Sequence, residues 1–133
     1  MVADDEPMVL DFAAAALESM GFEVIRAKDG AEAVVRFLEH QGRIRLALLD
    51  LTMPRMDGLE AFAELRRMES SLPIILSSGY DTDAAAQGLV DVGQARFLPK
   101  PYPVRDLRKV VSEVMAVAGS VPLRAPAPSN PEA

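Results

Sequence analysis

Apolar positions along the chain alternate between two spacings, that of a short buried strand and that of an amphipathic helix. Val2-Ala3 is the stub of a first strand. Val9, Ala13, Ala16, Leu17 and Met20 then recur at helical spacing until Gly21 stops the run. Phe22 to Arg26 alternates as a strand near a sheet edge. A second helix starts at Asp29, whose spacing to Glu32 suits a capping box, and should bury Ala33, Val34, Phe37 and Leu38 before His40 and Gly42. Leu46 to Leu49 is wholly apolar, as a central parallel strand covered on both faces must be.

The pattern continues through the loop Thr52-Met53-Pro54-Arg55-Met56 to a third helix. Asp57-Gly58-Leu59-Glu60 caps it, and Leu59, Phe62, Ala63 and Leu65 form its inner face. Ile74 to Leu76 reads as the fourth strand. The fourth helix, from about Asp81 to Leu89, is alanine-rich and interrupted by Gly88, so few large side chains anchor it. Arg96-Phe97-Leu98 is the fifth strand. Leu107, Val110, Val111, Val114 and Met115 mark the fifth helix, with Pro103 near its first turn. Beyond it Pro122, Pro126, Pro128 and Pro131 favour a disordered tail, giving a domain over 1–118 and a proline-rich tail over 119–133. Five β-α repeats imply a doubly wound α/β fold with a five-stranded parallel sheet. Of the two common strand orders, 2-1-3-4-5 (flavodoxin-like) puts its switch point between strands one and three.

That topology gives the charged residues a meaning. Asp4 and Asp5 end the first strand, Asp50 ends the third, and Lys100 follows the fifth. Carboxylates gathered at one sheet edge repel one another and resist ionisation. A hard divalent cation relieves this, and Mg²⁺ favours one or two carboxylates with waters and a phosphate oxygen. Lys100 adds positive charge for a transferred phosphoryl group. The net charge of −6 without a basic stripe argues against nucleic acid as a partner. The absence of cysteine excludes disulfides and thiolate metal sites and fits a reducing cytoplasm. No apolar run is long enough to cross a bilayer, so membrane contact by this segment is not expected.

Four segments, in order and at strand ends, resemble the receiver domains of two-component response regulators: Ala3-Asp4-Asp5-Glu6-Pro7, Leu49 to Gly58, Leu76-Ser77-Ser78-Gly79-Tyr80 and Phe97-Leu98-Pro99-Lys100-Pro101-Tyr102. The resemblance implies the (βα)5 receiver fold and a phosphorelay function. It makes Asp50 the phosphorylated residue, with Asp5, Asp50 and the Thr52 carbonyl holding Mg²⁺ or Mn²⁺ and Asp4 acting through a water. Lys100 would pair with Asp50 and then with the phosphoryl group. Ser78, five residues from Pro73 in the family's spacing, would be the hydroxyl switch, and Phe97 the aromatic one. Partners would be a histidine kinase or histidine phosphotransfer protein. The domain would be a monomer or weak dimer through the fourth helix, fifth strand and fifth helix, the face that switches.

Two features depart from the family pattern. The first strand has almost no residues before Asp4, as expected of a misplaced start or a segment of a longer protein. The Ser-Ser-Gly-Tyr and Lys-Pro-Tyr runs look more like receivers of hybrid sensor kinases, which would make the tail the natural end of the protein. Two other functional classes compete. A Mg²⁺-dependent phosphohydrolase with an aspartyl-phosphate intermediate usually needs a second acid two residues after the nucleophile, where this chain has Thr52. A non-phosphorylated interaction module would not need the acid, hydroxyl and lysine set. The expectation is a phosphoacceptor that loses its own phosphoryl group to water, not an enzyme acting on an external substrate.

Overall fold

Strands and helices alternate along the chain because apolar tetrads and helical stripes alternate in its sequence. The computed structural model describes residues 1–79, 88, 90 and 95–120. Among these are five strands: β1 (Val2–Ala3), β2 (Arg26–Ala27), β3 (Ala47–Asp50), β4 (Ile74–Ser78) and β5 (Arg96–Pro99). Four helices accompany them: α1 (Pro7–Ser19), α2 (Gly30–Glu39), α3 (Gly58–Met68) and α4 (Val104–Ser120). The strands form one parallel sheet in the order β2-β1-β3-β4-β5, as the sequence implied.

The sheet separates two cores. Phe37, Leu49, Ala61, Leu65, Ile74 and Leu76 pack on the face covered by α2 and α3. Val2, Leu17, Leu48, Ile75, Leu107 and Val111 pack on the face covered by α1 and α4. Successive residues of β3 and β4 therefore enter different cores, which is why both strands read as unbroken apolar runs.

Several expected boundaries move. β2 is Arg26–Ala27 rather than Phe22 to Arg26, because pairing requires a neighbour and β1 offers only Val2 and Ala3. Phe22 and Val24 still turn toward one core and Ile25 toward the other, so the alternation survives without the ladder. Leu38, expected inside, is 54% exposed, and Phe37 holds that turn of α2 in the core. In α3 the buried alanine is Ala61, and Ala63 faces out. Helix α4 runs two residues past the expected domain limit at 118, through Gly119 and Ser120. The fourth helix expected from about Asp81 to Leu89, apart from Gly88, lies outside the described residues, as do Tyr80 and the tail from 121 to 133.

Candidate functional site

Parallel strands all deliver their C-terminal ends to one edge, and the chain gathers charged side chains there. Asp4 and Asp5 follow β1 directly, and Asp50 is the last residue of β3, the strand beside it. One oxygen from each of these three carboxylates lies within 4.8 Å of the others. Asp4 and Asp50 are buried, whereas Asp5 is exposed. The order change between β1 and β3 opens the crevice that holds them.

Lys100 comes from the residue after β5, where its amide donates to the Ser78 carbonyl at 2.9 Å. Its Nζ lies 2.9 Å from Asp4 Oδ2, 3.3 Å from Asp50 Oδ1 and 3.6 Å from Glu6 Oε1. Lys100 thus pairs with Asp50 and still more closely with Asp4. The Lys100–Pro101 peptide is cis. Burial would pull the ammonium below its usual range, but the Asp4 hydrogen bond and the Asp50 charge outweigh it and hold the pKa up.

Asp50 feels the opposite balance. Burial, then the neighbouring Asp4 charge, push its carboxyl up to about 6 despite Lys100 and a 3.4 Å hydrogen bond from the Thr52 amide. One lysine therefore leaves the cluster short of positive charge. Three oxygen donors, two of them buried, one raised in pKa and all converging, fit a hard divalent cation. The residues present would hold one.

The remaining expected residues lie around this centre. Thr52 is exposed, two positions past Asp50. Ser78 ends β4 and is buried, next to Pro99 in register. Phe97, paired with Leu76 across the sheet, is half-buried against the α2/α3 core. Three further residues contribute to this centre. Glu6 reaches Lys100, and its place in the acidic run was the available signal. Gly58, a capping residue in the sequence pattern, also sits against β3: a Cβ there would overlap the Asp50 carbonyl oxygen, so α3 starts against β3 only if residue 58 is glycine. Tyr102 is buried beside the site, with its hydroxyl pushed up to about 12 by burial and then by the Asp4 charge.

Residues 1–112 match the family model of the response regulator receiver domain. The chain is similar to sensor kinase CckA of Brucella abortus (strain 2308), 34% identical over 115 residues, which are 86% of this chain and 12% of that protein. It is similar to response regulator MprA of Mycobacterium sp. (strain KMS), 34% identical over 107 residues, 80% of this chain and 46% of that one. The chain thus spans less than half the length of these curated relatives. In structure it resembles the receiver domain of hybrid histidine kinase CckA, with a TM-score of 0.72 and 32% identity over 86% of this chain and 95% of the other.

Proposed function

The chain belongs to the response regulator receiver domain family, and from that membership we propose that it accepts a phosphoryl group on Asp50. The donor is a phosphohistidine on a kinase or histidine phosphotransfer protein. One observation carries this reading: Asp50 sits at the switch point with Lys100 Nζ 3.3 Å away and two more carboxylates around it. The likeness to the receiver of a hybrid histidine kinase supports the same kind of partner here.

In the transfer, an Asp50 carboxylate oxygen attacks phosphorus. A P–O bond forms as the P–N bond to the imidazole breaks, and the electron pair stays on the leaving nitrogen. Asp5, Asp50 and the Thr52 carbonyl would hold Mg²⁺ or Mn²⁺, with Asp4 acting through a water, and the ion would add positive charge against the phosphoryl oxygens. Lys100, already between Asp4 and Asp50, supplies a second fixed charge. Charge placed in advance is the main source of acceleration for such a loose transition state. Attack of water on the acyl phosphate returns Asp50 and ends the signal. Ser78 and Phe97 carry the change to the surface that β5 and α4 share.

The test is intact-mass measurement after incubation with Mg²⁺ and acetyl phosphate. Wild type should gain a single phosphoryl group, and Asp50→Asn should gain none. Undiminished labelling of the variant would show that another residue is the acceptor.

A further inference from the structure

The segment from Thr52 to Asp57 leaves the acidic cluster and returns to it. Its ends are closed by the Leu51 amide donating to the Ser77 carbonyl at 2.8 Å and the Gly58 amide donating to the Leu51 carbonyl at 3.1 Å. Within it the Met56 amide donates to the Pro54 carbonyl at 2.7 Å. That places Arg55 at the centre of a three-residue turn with φ 66, the rarer and strained form of γ-turn. Among the described residues, Arg55 alone takes a positive φ without being glycine. Strain of this kind persists only where the surroundings hold it.

Two contacts hold it, and both come from the start of α2. The Arg55 guanidinium forms an ion pair with the Asp29 carboxylate. The Met56 carbonyl lies where a Cβ on the next residue, Gly30, would overlap it. Asp29 is itself fixed: it is buried and, as the α2 N-cap, accepts the Glu32 amide at 2.7 Å. That hydrogen bond first, and Arg55 after it, hold its carboxyl below the usual range. Arg55 is mostly exposed, so its stem contributes little packing and its charge most of the contact.

We propose that Asp29 and Arg55 are positioning residues for the phosphoacceptor site. Their ion pair clamps the strained loop to α2 and so fixes the Thr52 backbone at the mouth of the acidic cluster. Neither side chain touches Asp50; both act through the loop. The inference rests on the proposed phosphoacceptor reading, in which Thr52 faces the cation.

Two substitutions separate the clamp from folding. Arg55→Gly keeps the positive φ available and removes the guanidinium, while Asp29→Asn keeps a good N-cap and removes the charge. Amide hydrogen exchange at Thr52 and Met56 in the metal-free chain reports loop order directly. Calorimetric titration with Mg²⁺ reports its consequence. Each single variant should exchange faster at these amides and bind Mg²⁺ about tenfold more weakly, the scale of supporting residues around metal ligands. The double variant should be no worse than either single, since both break one contact, and Arg55→Lys should recover part of the loss. Additive losses, or wild-type exchange in both single variants, would overturn the proposal. Failure of wild type to bind Mg²⁺ would count against the phosphoacceptor reading, and the exchange data would still decide the clamp.

Discussion

Ser77 and Ser78 are adjacent in β4 and both are buried. Ser77 pairs in register with Asp50, and its Oγ is buried with no hydrogen-bond partner among the described residues. A buried donor left unmade costs about 1–3 kcal/mol, whereas an apolar group of similar size costs nothing of the kind. Ser77→Ala should therefore stabilise the metal-free chain, by about 1 kcal/mol, as a higher midpoint in urea unfolding. A lower midpoint would mean that the hydroxyl finds a partner. Asp50 shows the same economy in a charged group. It is buried and beside Asp4, so its ionised form is costly and a cation has most to offer there.

At the scale of elements, position along a strand decides chemistry, and this is what made so much legible in the sequence. The helical stripes of α1 and α4 and the apolar run of β3 announce themselves through periodicity. The acids and Lys100 at strand ends then select the 2-1-3-4-5 order, since that order brings Asp4 and Asp50 to neighbouring strands. What the sequence hid depends on the partner. Phe22 to Ile25 alternate like a strand but lack a ladder, because β1 is two residues long. The spacing of Asp29 and Glu32 suggested a reciprocal capping box, but the Glu32 carboxylate accepts the Lys28 amide at 2.7 Å instead. The full box forms at Asp57 and Glu60. The Asp29–Arg55 contact joins residues far apart in sequence, and no local pattern marks it. Coupling along β4 and β5 is testable in the same terms. Beryllofluoride with Mg²⁺ mimics the phosphoryl group, and backbone amide shifts should spread from Asp50 to Phe97 and Tyr102. A hydrogen bond and a ring rotation are worth only about 1–3 kcal/mol, enough to shift a balanced population and too little to refold the domain. Ser78→Ala should leave the Asp50 shifts in place and abolish those at Phe97. Shifts at Phe97 that survive the substitution would reject a hydroxyl-to-aromatic route.

Across the whole molecule the two ends of the sheet present different problems. The C-terminal end gathers negative charge that a ligand can neutralise, whereas the N-terminal end buries an amino group that has no anionic partner among the described residues. A cleft of about 540 Å³ opens there, lined by Leu17, Met20, Phe22, Val24, Ile44 and Met115 among others. In a chain that starts at Met1, the terminal ammonium sits in it and donates to the Leu46 carbonyl at 2.8 Å. Burial lowers its pKa from 8.0 to about 6. The sign of the effect follows from proton counts. Between these two values the unfolded chain binds the proton and the folded chain does not, so stability rises with pH. Above about pH 8 both states are neutral and the folded chain carries no penalty; below about pH 6 both are charged and the penalty is complete. The difference across the window is roughly 2–3 kcal/mol, at 1.36 kcal/mol for each unit of pKa. Urea unfolding of the metal-free chain should therefore show a midpoint that climbs from about pH 6 to about pH 8. Nα-acetylation removes the charge while keeping an N–H to donate to Leu46, and the cleft leaves room for the acetyl group. The acetylated chain should lose this rise and match, at about pH 6, the stability that the free-amine chain reaches only near pH 8. An equal slope in both chains would show that the buried ammonium does not govern stability in this window.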